Sequence, residues 1–484
     1  MGLHVKRAFL ILFLLASIAY FSYYQYVYNI NNPESITKLT VSRKQKEDYK
    51  NLFDNSNFKS FTIEFTEESF QELLSNMQAY FDQYGTYQDN TMSKVNIIYN
   101  DGLGESFTIY EVGFRTKSNT SRNLPLTYDW MNRATYHQTS FQIQFDATFD
   151  YSEYSNEYAV LNTREAFNVD QLNFEYCKSY DANYDEAMIS EMYSYLLYDE
   201  AGIAVSKATN AIVYLKIGET IINYGFYTVI EPVDTEFLKK NFDSDLIGDY
   251  GDLYKATDTS GIADLSLNYD GLIGINENDL NERYSYALKN NTLDGTRTRH
   301  DTLIDFITDI NNLTTFETHA TDLLDVDSFA RALAIDFLLG NTDDYRYNYN
   351  NYYLYFNVYT NQAVYIPFDL DNSLGFGKHQ DVTYQYGLYY PLFSDTDQYA
   401  ILVNSFFSVE EYKNLYLSYL DEFVNSFFNY DHFYLEYIQA KELYQDLLVN
   451  ENHLGNQVFG LRNVAYYIVT KQQNVLNYLE NYTY

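Results

Sequence analysis

The sequence is organised around GNTDDYRYNYNNYYLY, residues 340–355, and the nearby stretch YIPFDLD, residues 365–371. The first stretch opens with a glycine, which ends the apolar helical pattern of residues 328–339. Alternating apolar residues over 352–359 and 363–368 predict a tight hairpin across a polar turn. The sequence therefore predicts, in order, a helix end, an acidic loop, a hairpin and a pair of carboxylates.

Oxygen-bearing side chains recur through these two stretches. Asp343 lies in the loop, with Asn348 and Asn351 after it, and Asp369 stands where the hairpin ends. Magnesium-assisted phosphoryl transfer needs such a set, because one acid orients a hydroxyl while other oxygens hold cations against a polyphosphate. On the spacing alone, an Asp-rich loop that only caps a helix or solvates a turn stays open as the alternative.

Composition indicates a folded, acidic protein. Of its 484 residues, 46% are hydrophobic, which is ample for a buried core, and the 5 prolines leave little room for long disordered linkers. The formal net charge of −36 argues against a nucleic-acid partner, because the phosphate backbone rewards clustered Lys and Arg. The charge favours basic partners, and an anion such as ATP would need a local basic pocket or metal ions.

Two other kinds of metal or redox site are disfavoured. The single cysteine, Cys177, cannot form an internal disulfide, and no Cys/His cluster has the spacing of a zinc site. We expect Cys177 to be a small buried hydrophobic residue. The run 369–373 resembles the start of a calcium loop, but it lacks the bidentate Glu that closes such a loop.

The N-terminus predicts a membrane-targeting segment over residues 1–30. Lys6 and Arg7 precede an almost wholly apolar and aromatic run, 8–28. A weak small-residue site at 17–19 would permit cleavage, whereas the aromatic residues after it favour an uncleaved signal anchor. The positive-inside rule then places the rest of the chain outside the cytoplasm, either held at the membrane or secreted if the segment is cleaved.

Hydrophobic periodicity predicts an α+β fold, with antiparallel strands in the N-terminal half and a mostly helical C-terminal part. Strands are predicted over 61–65, 95–99, 106–114, 140–145, 211–217, 221–230 and 251–255. Helices are predicted over 67–84, 185–200, 234–241, 301–311 and 328–339, the last capped by Asp327. We expect a polar juxtamembrane spacer over 31–60, one domain over 61–408, and a helical extension packed on it over 409–484.

Five segments resemble, in the same order, motifs of the spore coat protein H (CotH) family of secreted and cell-surface atypical protein kinases. They are GFRTKSNTSR (113–122), GFYTVIEPVD (225–234), LYK (253–255), NTD with NYYLY (341–343 and 351–355), and PFDLDNSLG (367–375). The corresponding family patterns are Gly-x-Arg-x-Arg-Gly-x-Ser-Ser-Arg, Gly-x-Tyr-x-x-x-Glu-x-x-Asp, Leu-Tyr-Lys, Asn-x-Asp with Asn-Tyr-x-Leu-Tyr, and Pro-Trp-Asp-x-Asp-x-x-x-Gly. Each motif is weak alone, but five in order are specific.

The resemblance implies a divergent kinase-like fold that transfers the γ-phosphate of ATP, with Mg²⁺ or Mn²⁺, to Ser or Thr of a surface or coat protein. Asp343 would be the base or the residue that positions the acceptor hydroxyl, and Asp369 the principal metal ligand. Asp371 and one asparagine would complete the metal shell. Family alignment favours Asn351 for that role, whereas the kinase-like spacing of five residues after Asp343 favours Asn348.

The resemblance also implies a nucleotide-binding set. Lys255 would place a point charge on the phosphates, with Glu231 as its orienting partner. A simple salt bridge at the end of a strand is the alternative for Lys255. Arg115 and Arg122 lie in a polar loop between strands, where they would either cover the phosphates or only solvate a turn.

Two departures from the family pattern concern the phosphate-binding part. Ser118 stands where the family has a glycine in the first loop, which hinders close backbone approach to a phosphate. The basic residues expected before the next strand are replaced by His137, Gln138 and Thr139. The competing hypothesis is therefore a catalytically inactive member, a surface scaffold or adhesin that binds a protein or glycan.

Overall fold

The computed structural model of the chain describes most residues between 33 and 481. The described residues are 33–41, 43–118, 122–177, 187–244, 250–257, 263–267, 275–276, 285–290, 300–341, 343–346, 348–375, 400–448 and 457–481. The predicted targeting segment, residues 1–30, lies outside them. Among the helices that are described, none is both long and apolar enough to cross a membrane.

The N-terminal half forms a closed seven-stranded barrel. The strands of this half are β1 (Ser60–Phe65), β2 (Ser93–Asn100), β3 (Ser106–Thr116), β4 (Leu126–Tyr128), β5 (Ala134–Tyr136), β6 (Phe141–Gln144), β7 (Gln171–Tyr176), β8 (Ala208–Ile217) and β9 (Thr220–Ile230). Strands β4 and β5 form a separate two-stranded ribbon, and the barrel order is β1, β2, β3, β6, β7, β9, β8. Neighbours are antiparallel except β1 and β8, which run parallel and close the barrel.

The strand predictions of this half are confirmed, but the barrel was not predicted. Along β2 every second residue is buried, which is the period that marks one face of a sheet. Phenylalanines fill the interior, and the rings of Phe141 and Phe174 stack with their centroids 4.6 Å apart. Closure depends on pairing Ser60 with Ile212, and residues so distant in sequence leave no local signal of their pairing.

A second sheet lies beyond the barrel and carries the predicted hairpin. Its strands are β10 (Leu253–Ala256), β11 (Ile275–Asn276), β12 (Tyr286–Leu288), β13 (Tyr352–Asn357) and β14 (Gln362–Pro367), in the order β11, β12, β10, β13, β14. Lys255 of β10 is paired with Tyr353 of β13, and Tyr353 with Ile366 of β14. The register therefore places the Leu-Tyr-Lys strand directly beside the hairpin that leads to Asp369.

Helices cover this sheet and make up most of the C-terminal part. The described helices are α1 (Pro33–Leu39), α2 (Gln45–Leu52), α3 (Glu67–Tyr84), α4 (Asn156–Leu161), α5 (Ser190–Glu200), α6 (Thr235–Asn241), α7 (Asp301–Ile310), α8 (Leu313–Leu323), α9 (Val326–Leu339), α10 (Ile401–Ser408), α11 (Glu410–Ser426), α12 (Tyr430–Tyr444) and α13 (Arg462–Asn481). The predicted cap of α9 is wrong by two residues. Asp325 accepts the Ser328 N–H at 3.1 Å, while Asp327 lies in the first turn and pairs with Arg331 at 2.7 Å.

Residues 33–59 do not form the polar spacer that was predicted, because α1 and α2 pack on the barrel. Leu39 and Leu52, the last residues of these helices, are buried. The guanidinium of Arg164, itself buried, donates to the Leu39 carbonyl at 3.2 Å and to the carbonyls of Phe145, Tyr110 and Glu111. One buried cation thus joins α1 to the barrel strands, since each of its bonds satisfies a backbone acceptor.

Gly225 explains why the second motif begins with glycine. Its φ is +107°, and an added Cβ would overlap Gln138 Nε2 and lie 2.6 Å from Gln457 Oε1. Gln138 donates to the Tyr224 carbonyl at 2.7 Å. Gln457 accepts the Phe226 N–H at 2.8 Å and donates to the Cys177 carbonyl at 2.9 Å. A C-terminal side chain therefore completes the hydrogen bonding of a barrel strand at a bulge.

Gly225→Ala should destabilise the fold more than the same change at Gly85. Both positions have positive φ, but nothing lies within 4 Å of a Cβ at Gly85. We expect a loss of about 1 kcal/mol at Gly85 from backbone strain, and about 2–4 kcal/mol at Gly225, where strain and overlap combine. Urea unfolding of the two variants measures the difference, and equal losses would show that the glutamines give way freely.

Candidate active site

The site is built on the loop that follows α9. Gly340, with φ of +62°, ends the helix, and the Asp343 N–H then donates to Asn341 Oδ1 at 2.9 Å. The two consecutive acids of the loop point in different directions. Asp344 is 2% exposed and pairs with Arg346 at 2.6 Å, so its carboxylate is part of a buried ion pair. Asp343 is the carboxylate that the loop presents to the site.

Three asparagine amides surround Asp343. Asn348 Nδ2 donates to its Oδ1, and Asn372 Nδ2 lies 3.4 Å from its Oδ2. Asn351 Nδ2 donates to its backbone carbonyl at 2.7 Å, from a residue with φ of +56°. Amide donors on both carboxylate oxygens hold the Asp343 side chain in a fixed orientation. The structure brings both Asn348 and Asn351, the alternatives of the sequence analysis, to Asp343.

Asp369 follows the hairpin and lies close to this loop. Its φ is +60°, and its N–H donates to the Tyr195 hydroxyl oxygen on α5 at 3.1 Å. Asp371, two residues on, is exposed. Asn372 joins the two acidic segments, since its amide nitrogen lies 2.6 Å from Asp371 Oδ1 and also faces Asp343. Asn372 was not among the predicted site residues.

Two lysines lie within electrostatic reach of Asp369. Lys117, which directly follows β3, has its Nζ 5.4 Å from the centre of the Phe368 ring, and Lys255 Nζ lies 4.5 Å from the same ring. Burial raises the pKa of Asp369, as does Glu175, while the two lysines lower it. Lys255 was predicted here. Lys117 was missed, although it occupies the second basic position of the first motif.

Two further acids complete the site, and both were missed. Glu175 of β7 pairs with Lys117 at 2.9 Å. Glu191, in the first turn of α5, is 8% exposed, and its Oε1 has no hydrogen-bond partner among the described residues. Burial raises the pKa of Glu191 well above its ordinary value, and the carboxylates of Glu175, Asp371 and Asp369 raise it further. The available sequence signal was an acidic residue on a helix face that otherwise carries no charge.

Glu231 is not the partner of Lys255, so that predicted pair is wrong. Its carboxylate pairs with Lys240 at 3.1 Å and accepts the Tyr49 hydroxyl at 2.9 Å. It also accepts the Lys207 N–H at 3.1 Å. The side chain is buried, and its partner Lys240 lies in the last turn of α6. The described contacts of Glu231 are those of a structural residue that connects α2, β9 and α6.

Arg115 and Arg122 form a separate cluster on the barrel. Arg115 donates to Gln142 Oε1 and, at 3.0 Å, to Asn90 Oδ1, and Arg122 donates to the same Asn90 oxygen at 3.2 Å. In the part of the chain that the structure describes, neither contacts Asp343 or Asp369. Ser118, between them in sequence, has φ of +122°, a conformation that favours the glycine of the family motif.

The side chains of the site fit a hard divalent cation only if oxygens other than protein carboxylates complete its coordination shell. No three His, Cys, Asp or Glu side chains of the described residues are arranged to hold a metal ion. However, carboxylates outnumber lysines around Asp369, and Glu191 has a buried oxygen without a partner. Such a surplus of negative charge suits Mg²⁺ or Mn²⁺ bound by one or two carboxylates, amide oxygens and phosphate oxygens. Asp369 and Asp371, with Asn348 or Asn351, would be the protein ligands.

Glu191→Gln should stabilise the metal-free protein, because an amide of the same shape removes a buried charge from an acidic cluster. A raised pKa means that the folded state binds the proton more tightly, so the wild type loses stability as pH rises above the ordinary Glu value. The advantage of the variant should therefore grow from about pH 5 to about pH 8, reaching on the order of 1 kcal/mol.

Thermal unfolding in a chelator measures this difference. Glu72→Gln is the control, since Glu72 is an exposed acid on another helix, α3. A Glu191→Gln advantage that stays flat with pH would show that Glu191 is not held as a strained acid.

Comparison with known proteins agrees with this geometry. A search of curated proteins finds no match to the chain. The family model described as CotH kinase protein matches residues 130–483. That range includes both acidic segments, Lys255, Glu175 and Glu191, and it extends through the C-terminal helices, but the first basic loop with Lys117 precedes it. The match covers well over half of the chain. The chain therefore belongs to the CotH kinase family.

Proposed function

We propose that the protein transfers the γ-phosphate of ATP to a serine or threonine hydroxyl of a protein acceptor outside the cytoplasm. The observation that carries the proposal is the placement of Lys117 and Lys255 around Asp369, beside Asp343. In a chain of net charge −36, two converging ammonium groups make a local binding place for a polyphosphate. Membership of a kinase family supports the same reaction class.

Asp343 acts on the acceptor in this proposal. Its carboxylate orients the hydroxyl and takes its proton as the hydroxyl oxygen bonds to the γ-phosphorus and the bond to the ADP oxygen breaks. Asn348 and Asn372 hold the carboxylate through their amide groups, so little reorganisation is needed when the acceptor arrives.

The lysines and Asp369 act on the nucleotide. Lys117 and Lys255 neutralise charge on the phosphates, and Glu175 keeps Lys117 in place through their 2.9 Å ion pair. A divalent cation, held by Asp369 with Asp371 and an asparagine oxygen, supplies further neutralisation of the phosphates when bound. Glu175 thus takes the orienting role for a phosphate-binding lysine that the sequence assigned to Glu231.

Fold and charge support the remaining parts of the proposal. The site lies where barrel strands meet the second sheet and the helical part. We propose that this arrangement is a divergent kinase-like architecture. The acidic chain favours a basic acceptor protein. The apolar segment over 1–30 supports a location outside the cytoplasm, held at the membrane or secreted.

Removal of either central carboxylate should abolish transfer. We expect Asp343→Asn and Asp369→Asn each to lower the rate by at least about 100-fold, because acid–base and electrostatic contributions are each worth kilocalories. Purified full-length protein, labelled ATP, Mg²⁺ or Mn²⁺, and a panel of basic Ser/Thr-containing proteins provide the measurement. Asp322→Asn on the exposed face of α8 is the control and should keep full activity.

Thermal shifts with ATP and metal separate the two roles. Asp343→Asn should retain the stabilisation by ATP and metal, whereas Asp369→Asn should lose most of it, because only Asp369 faces the nucleotide. A wild type no more active than these variants would sink the kinase proposal and favour the inactive scaffold.

A further inference from the structure

Beneath Asp343 lies a buried charged group that the proposed reaction does not use. The Arg346 side chain is 8% exposed and the Asp344 side chain 2% exposed. Arg346 donates from both Nε, at 2.7 Å, and Nη2, at 2.6 Å, to the same oxygen, Asp344 Oδ2. The Arg346 N–H donates to Asp344 Oδ1 at 2.9 Å. Both carboxylate oxygens are therefore occupied from within the loop itself.

The same guanidinium also holds the start of the loop. Arg346 Nη2 donates to the Asn341 carbonyl at 3.1 Å. The Asn341 side chain in turn accepts the Asp343 N–H at 2.9 Å. The residues on either side of Asp343 are thus fixed to one planar cation, and the backbone of Asp343 is fixed to the residue that this cation holds.

Neighbouring elements close the loop in from two further directions. Tyr345, between the two charged residues, accepts the Leu402 N–H at 2.9 Å and donates to the Asp264 carbonyl at 3.2 Å. Asp336, one turn before the end of α9, is buried, accepts the Tyr198 hydroxyl and faces both Asp344 and Arg346. The Asp343 side chain therefore belongs to the site, and the Tyr345 side chain to the aromatic core. Those of Asp344 and Arg346 belong to the charged network.

We propose that Arg346 is a positioning residue, which fixes the direction of Asp343 by joining Asp344 to the Asn341 carbonyl. The inference rests on the proposed function for its kinetic part. A planar guanidinium with several donors meets both partners at once, whereas an ammonium is a point charge and cannot keep both bonds in the same geometry. Charge alone is thus insufficient for this role.

The proposal predicts a specific split between kcat and KM. Arg346→Lys keeps the charge that faces Asp344 and Asp336 but loses the fork, so we expect kcat to fall about 10- to 100-fold while KM for ATP stays within about 2-fold. Arg331→Lys is the matched control. Arg331, too, pairs with an aspartate, Asp327 of α9, at 2.7 Å, but this pair lies at the surface. It should leave both constants unchanged.

A double substitution separates positioning from stability. Arg346→Gln alone leaves the buried carboxylate of Asp344 without its cation and should lower the unfolding temperature, and the double variant adds Asp344→Asn. The double variant removes both charges and should recover much of that loss, yet its kcat should stay low. Recovery of kcat together with stability, or an unchanged kcat in folded Arg346→Lys, would overturn the proposal.

Amide hydrogen exchange tests the same inference without any activity. In Arg346→Lys, exchange of the peptide that covers residues 341–348 should become at least about 10-fold faster, while peptides of α9 and β13 keep the wild-type rate. If the wild type transfers no phosphate but this difference appears, the proposed function fails and the positioning role stands. Unchanged exchange in the loop shows that Arg346 does not hold it.

Discussion

The site holds several carboxylates close together, and the rest of the structure must offset the repulsion between them. Asp369 lies within electrostatic reach of Asp343, Glu175 and Glu191, and burial of such a set is unfavourable. Two kinds of interaction offset the cost. Lysines face the group around Asp369, and asparagine amides face Asp343. The rest of the fold supplies the stability that lets this charged centre persist.

The arrangement divides the site into two halves with different chemistry. Around Asp343 the amide partners are neutral groups that hold the side chain in place. This suits the proposed role of Asp343 as the group that accepts a proton. Around Asp369 the partners are charged in both senses, which suits the binding of a polyphosphate with its cation. Asn372 contacts both halves, so a single short side chain links Asp343 to Asp371.

The sequence predicted well which acidic and amide residues lie together, and poorly which lysines join them. Asp343, Asp369 and both asparagines stand in a compact stretch whose order of helix, loop and hairpin is local, and local order is what periodicity and turn signals reveal. Lys117 directly follows β3, and Glu175 and Glu191 lie in β7 and α5. Only the pairing of β3 and β7 with β6 and the packing of α5 bring them together. The Glu231 error has the same origin, because the partner of a buried acid is chosen by tertiary packing.

The bond between Gln457 and β9 has a consequence for how the protein is made. The Phe226 N–H finds its side-chain acceptor only at residue 457, 231 residues further along the chain. A nascent chain emerges from the ribosome in order, so the barrel strands appear long before the group that completes them. The Phe226 N–H therefore lacks this acceptor until residue 457 has been made. The barrel acquires its full set of described hydrogen bonds only together with a later part of the chain.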